Sequence, residues 1–153
     1  MRKSWDEYFM SMTDIVASRS KDPSTKVGCI IVGPDHEVRS TGYNDFPRGV
    51  REDLPCRRER PAKYRYTEHA ERNAIYNAAR CGVSVKGCTM YINAGYPCTD
   101  CSRGIIQVGI KEIVVGKMEY IPGWEDDCKL ARSMLHEAGI PIRLPLMASD
   151  GYA

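Results

Sequence analysis

An α/β fold, with a mostly parallel stretch of sheet covered by helices, is what this 153-residue sequence predicts, and three observations carry the prediction. A continuous apolar run from Val27 to Val32 is followed, after the turn Gly33-Pro34-Asp35, by a second extended segment from Val38 to Tyr43. From His69 onward, helical and extended patterns alternate, and strands joined through helices imply right-handed crossovers and parallel neighbours. Apolar residues are spread along the whole chain, so one domain over 1–153 is expected, with its core at about 4–145.

The elements follow in order. Trp5, Tyr8, Phe9, Met12, Ile15 and Val16 recur at helical spacing, and Ser4 with Glu7 forms a capping-box pattern, so an amphipathic helix should end near Ser20. Val27–Val32 and Val38–Tyr43 read as paired strands. Residues 44–66 carry Pro47, Gly49, Pro55 and Pro61 among seven Arg and Lys residues and show little periodicity, which predicts a long loop. A helix over 69–80, a strand over 89–93, a helix starting at Cys98 and a strand over 112–115 come next. A helix over 125–138 and a strand over 140–144 complete the pattern, and the tail from about 146 to 153 is expected to be loose.

Composition excludes several classes. The charge of +2 is the near-cancellation of 22 basic and 20 acidic residues, which argues against a protein that coats nucleic acid. Arg2 and Lys3 run into Trp5, Asp6 and Glu7 rather than an apolar stretch, so no signal peptide is expected. No apolar run approaches the roughly 20 residues of a membrane span, and the chain is read as cytoplasmic. Seven cysteines, an odd number, then point to metal binding or burial rather than a disulfide framework.

The chemistry concentrates in His69-Ala70-Glu71 and Pro97-Cys98-Thr99-Asp100-Cys101. Cys98 and Cys101, three apart, share one face of a helical turn, and His69 with Glu71 fit the first turn of another helix. Three nitrogen or sulfur ligands with no second CxxC or HxxxH describe an open, catalytic zinc site whose fourth position takes water. Glu71 is then the group that moves protons. The pair of motifs matches the H-x-E and P-C-x-x-C signature of zinc deaminases acting on cytosine or adenine.

At these residues the chain resembles the cytidine and deoxycytidylate deaminase superfamily, and within it the dCMP deaminases. The resemblance spans most of residues 5–144 and also rests on Arg19-Ser20-Lys21-Asp22-Pro23, Val27-Gly28, Thr41-Gly42-Tyr43-Asn44, Asn73-Ala74-Ile75, and Ile105-Ile106-Gln107 leading to Gly109-Ile110-Lys111-Glu112. It implies a cytidine-deaminase-like three-layer fold with a mixed sheet of about five strands. It implies zinc-dependent hydrolysis of dCMP to dUMP and ammonia in a homohexamer, activated by dCTP with Mg2+ and inhibited by dTTP. It places Asn44, Tyr120, Ser24 and Lys26 at the substrate, the last two at its phosphate.

Effector contacts are assigned to the loop at Asp45, Phe46, Arg48 and Arg51, where Asp45 replaces a glycine common in relatives. Cys56 is a stray candidate ligand for a second metal. Two alternatives remain open: a polynucleotide deaminase (of tRNA adenosine or single-strand cytosine), which needs a basic aromatic groove, and a non-catalytic zinc nucleotide-binding protein, which needs no Glu71. No nucleic acid and no membrane is expected as a partner.

Overall fold

The computed structural model describes residues 2–148. Along the chain run α1 (Trp5–Ala17), β1 (Gly28–Val32), β2 (Val38–Tyr43), α2 (Lys63–Tyr66), α3 (Ala70–Arg80), β3 (Thr89–Ile92), α4 (Thr99–Gln107), β4 (Glu112–Val115), α5 (Glu125–Glu137) and β5 (Ile142–Arg143). The strands form one mixed sheet in the order β2-β1-β3-β4-β5. β1 is antiparallel to both β2 and β3, whereas β3, β4 and β5 are parallel, because α4 and α5 carry the chain back between them.

Side-chain alternation assigns the two faces. Ile30, Val32, Tyr91 and Val114 point to one side and pack on Phe9 of α1. Cys29, Ile31, Met90, Ile92, Ile113 and Val115 point to the other, against Ala70, Ala74 and Ala78 of α3, Cys101 and Ile105 of α4, and Leu135 of α5. The three layers are therefore α1, the sheet, and the α3–α4–α5 side. β1 is buried along its whole length, as a central strand covered on both faces must be.

Most element bounds agree with the sequence pattern, and the differences have local causes. The capping box at Ser4 and Glu7 forms, but α1 stops at Ala17: the N–H groups of Arg19 and Ser20 bond back only three residues, and the Ser20 hydroxyl is drawn away to the Asn44 carbonyl. The last strand shrinks to Ile142–Arg143, since Pro141 lacks an N–H and contributes only its carbonyl, to Ile113.

The segment 44–66 is not a featureless loop. It contains a 3₁₀ turn at Pro55–Arg57 and the short α2, held by Arg58 on Asp45 at 3.1 Å and by Lys63 on Asp22 at 2.9 Å. Arg58 also lies over the Phe46 ring and Arg57 over that of Tyr66.

The start of the tail corrects the expectation of a loose end. Leu146 N–H donates to Asp6, the Leu146 carbonyl accepts from Ser4, and Ala148 N–H donates to Glu7, which ties 146–148 to the beginning of α1. Residues 149–153 lie outside the described residues. Among those described, no helix is long and apolar enough to cross a membrane.

Candidate active site

His69 and Cys98 each occupy the N-cap of a helix, α3 and α4, with extended backbone at φ −76°, ψ 154° and φ −77°, ψ 171°. Neither side chain caps its own helix. Both turn toward one point beyond the carboxyl ends of β3 and β4, where open α/β sheets bind ligands. Cys101 enters from the first turn of α4, and the Nδ1 atom of His69 stands 3.4 Å from Cys98 Sγ and 3.5 Å from Cys101 Sγ. The three donor atoms lie within 4.8 Å of one another and are the one such group among the described residues. Cys56, in the 3₁₀ turn, is exposed and outside it.

An imidazole and two thiols suit zinc rather than a hard cation such as Mg2+, and three ligands leave the fourth position open. The protons on the set are shared. A hydrogen bond from Cys101, with His69 beside it, draws the Cys98 thiol well below its ordinary range. The same Cys98 contact raises His69, while Cys101, paired to Cys98 and buried, is pushed up. A metal ion held by His69, Cys98 and Cys101 would displace these protons.

Glu71, at the second position of α3, is buried beside this cluster, and burial raises its carboxyl above the ordinary range despite the nearby His69. Arg72 spans the two helix starts, pairing with Glu68 and reaching Asp100 at 3.3 Å.

A cavity of about 160 Å³ opens over the cluster. His69, Glu71 and Cys98 form its floor, Tyr64, Tyr96 and Trp124 its aromatic walls, and Thr25, Arg60 and Lys63 line one side. The Trp124 ring stands edge-on to His69 with centroids 6.3 Å apart, and Tyr64 meets Trp124 at 5.7 Å. Asn44 also lines it, its Oδ1 accepting from Val27 N–H at 2.7 Å and its Nδ2 donating to the Thr25 carbonyl.

The other expected substrate residues sit outside this lining. Tyr120 packs on Tyr96, and its hydroxyl accepts from Arg132 at 2.6 Å. Ser24 accepts from the Lys63 ammonium at 2.8 Å, and Lys26 is exposed.

Trp124 and Tyr64 stand in no sequence motif, and Arg60 and Lys63 belong to the basic loop 44–66, whose charge suggests a phosphate clamp for a regulator rather than this cavity. Two signals bear on them: Trp124 follows the turn Pro122-Gly123 after a parallel strand, where loops collect at binding sites, and Lys63-Tyr64 shortly precedes His69. Asp45, Phe46 and Arg48 line a different cavity of about 440 Å³ with Arg19, Lys21, Tyr76 and Arg80. Arg51 is not part of it and pairs with Asp53 at 2.7 Å.

An open His/Cys/Cys donor set with a buried carboxyl beside it, at the carboxyl ends of parallel strands, defines an α/β enzyme of metal-assisted hydrolysis. The chain belongs to the cytidine and deoxycytidylate deaminase family: residues 3–117 match the model of the cytidine and deoxycytidylate deaminase zinc-binding region. It is 41% identical over 144 residues to deoxycytidylate deaminase of Homo sapiens, covering 91% of this chain and 78% of that protein. An uncharacterized deaminase of Aliivibrio fischeri is 35% identical over 149 residues, covering 95% and 97%. The structure of dCMP deaminase from the cyanophage S-TIM5, in complex with dCMP and dUMP, superposes with a TM-score of 0.72 at 25% identity over 90% and 94% of the two chains.

Proposed function

We propose that this enzyme hydrolyses dCMP to dUMP and ammonia, with His69, Cys98 and Cys101 as zinc ligands and Glu71 as acid and base. The observation that carries the reading is the buried Glu71 beside the open donor cluster, in a cavity lined by Tyr64, Tyr96 and Trp124, by Arg60, and by the paired Lys63 and Asp22. The similarity to deoxycytidylate deaminases supports dCMP as the substrate. Zinc held there supplies Lewis acidity that makes a water nucleophilic near neutral pH.

Water adds at C4 of the cytosine ring and the bond from C4 to the exocyclic nitrogen breaks. Glu71 takes one proton from the attacking water and delivers it to N3, then carries the second, from the new C4 hydroxyl, to the departing nitrogen, so that uracil and ammonia leave. Its burial, which raises the carboxyl above its ordinary range, helps it hold the proton it has taken until it is passed on. Trp124 and Tyr64 provide faces for the base, and Asn44, fixed by two backbone bonds, stands at the sugar or base edge. Arg60 and Lys63, the latter held by Asp22 and Ser24, are assigned to the phosphate; Lys26 and Tyr120 lie outside the cavity lining.

A regulatory reading rests on the second cavity. Arg19, Lys21, Arg48 and Arg80 gather there beside Tyr76, a chemistry that suits a triphosphate. Activation by dCTP with Mg2+ and inhibition by dTTP are assigned to it, in a homohexameric cytoplasmic enzyme. A polynucleotide substrate fits less well, since the segment 54–66 contributes Arg60, Lys63 and Tyr64 to the wall of a small cavity rather than leaving an open groove.

The test is an ultraviolet assay of cytosine-to-uracil conversion on dCMP, CMP, deoxycytidine, dCTP and a short oligonucleotide, with and without dCTP and Mg2+. Turnover of dCMP is expected, and Glu71→Gln should keep its zinc while losing about 10²–10⁴-fold in rate. Deamination of the oligonucleotide with dCMP untouched would defeat the proposal. Glu71→Gln with unchanged rate would defeat the role of Glu71.

A further inference from the structure

We infer that Asp127, in the first turn of α5, is the positioning residue that fixes the Cys98–Cys101 hook for the metal. The inference rests on the assignment of these cysteines as ligands. The start of α4 has an unusual difficulty: its N-cap residue is Cys98, whose thiol is turned toward His69. Asp100, the acid of its own first turn, is turned outward to Arg103 and Arg72. The usual side-chain sources of a cap are therefore engaged elsewhere.

Asp127 supplies the missing acceptor from another helix. Its Oδ2 accepts the Thr99 backbone N–H at 2.9 Å, and its Oδ1 accepts the Thr99 hydroxyl at 2.6 Å. Thr99 stands between the two cysteines, so this two-point grip sets the direction in which the chain leaves Cys98 and winds to Cys101. A carboxylate bonded by both oxygens is also a stronger restraint than a single neutral bond.

Two neighbours extend the restraint. Trp124, one turn earlier, stands edge-on to His69, and the next residue, Cys128, has its Sγ 3.7 Å from the Tyr96 carbonyl in the loop that delivers Cys98. One turn of α5 thus touches the α3 start, the α4 start and the loop before it.

The plain alternative is that Asp127 is one of three acids favouring its own helix terminus. Glu125 already accepts the Gly123 N–H there, and Asp126 is fully exposed. Asp127, alone of the three, is committed across to α4. It also lies beyond residues 3–117, where the family model matches, although it grips a segment within them.

Partners behind metal ligands typically contribute 10–100-fold to affinity. The experiment follows zinc transfer from the purified, zinc-loaded full chain to a competing chromophoric chelator, with thermal unfolding measured in parallel. Asp127→Ala should weaken zinc binding by about 10–100-fold. Thr99→Val should weaken it less, and Thr99→Ser, which restores the hydroxyl, should return it to within about twofold of wild type. Asp126→Ala should match wild type.

If Asp127→Ala does not fold, the Thr99→Val and Thr99→Ser pair decides. Lower thermal stability with zinc affinity unaltered in the folded variants would make Asp127 a helix clamp only and overturn the inference. Wild-type protein that holds no zinc would overturn the ligand assignment, and this inference with it.

Discussion

Asp22 binds the rim of the cavity together through one carboxylate. Burial disfavours its charge, but Lys63 Nζ at 2.9 Å, the Ser24 N–H and hydroxyl, and the Thr25 N–H outweigh that and hold its pKa down to about 2. An acid depressed from an unfolded value of 3.8 stabilises the fold fully above that value and loses the contribution as pH falls toward the folded one. The difference corresponds to about 2 kcal/mol. Urea unfolding of wild type should therefore weaken between about pH 4 and pH 2, and Asp22→Asn should remove that portion of the pH dependence while lowering stability at pH 7. An unchanged slope in the variant would refute the assignment. At this scale His69, Glu71, Cys98 and Cys101 were legible because each motif lies within one helical turn. Lys63, Trp124 and Asp127 were not, since their partners are 28 to 55 residues away and only tertiary packing joins them.

Among elements, two glycines set how closely the helices approach the sheet. A Cβ on Gly28 would come within 2.0 Å of the Thr13 carbonyl in α1, and one on Gly42 within 2.2 Å of Ala74 N and 2.3 Å of the Ala70 carbonyl in α3. Across the second contact, Asn73 and Asn77 of α3 donate to the carbonyls of Tyr43 and Thr41, and Ser40 of β2 donates to that of Ala74. Gly42→Ala must push α3 outward, and the start of α3 carries His69 at its N-cap and Glu71 in its first turn. The expected outcome is a loss of about 1–3 kcal/mol by chemical unfolding, together with weaker zinc retention in the folded fraction. Full stability and full zinc affinity in the variant would show that α3 is not seated by this contact. The elements themselves were readable wherever apolar periodicity ran long, as in α1, β1 and α3. The short α2 escaped because four residues hold barely one helical turn, and its contacts are the Lys63–Asp22 ion pair and the rings around Tyr66 rather than an apolar stripe.

For the whole molecule, residues 146–148 meet the start of α1 away from the metal cluster. The composition and polarity of residues 146–148 gave no hint of this, because their bonds are made by backbone groups to acids near the opposite terminus. Asp6 is the junction: buried, it accepts from the Tyr91 hydroxyl at 2.7 Å, from Arg143 and from the Leu146 N–H at 2.8 Å. Burial opposes its ionisation, yet these donors keep its pKa low. Arg143 in turn reaches Glu112 at 3.1 Å, so α1, β3, β4, β5 and the tail share one network. Its Glu112 opens β4 at the amino end and its Tyr91 points to the α1 face, whereas the metal cluster lies beyond the carboxyl ends of β3 and β4 on the other face of the sheet. Asp6→Ala leaves the Tyr91 hydroxyl and the Leu146 N–H without their acceptor and Arg143 with Glu112 alone, and should cost about 3 kcal/mol, roughly 10 °C in melting temperature for a domain of this length. Zinc affinity of the folded protein should stay within about twofold of wild type, the reverse of the pattern expected for Asp127→Ala, where partners behind the metal contribute 10–100-fold. Calorimetry and chelator competition on the two variants separate stability from site geometry, and a fall in zinc affinity on Asp6→Ala comparable to that on Asp127→Ala would show that the two ends of the sheet do not act independently.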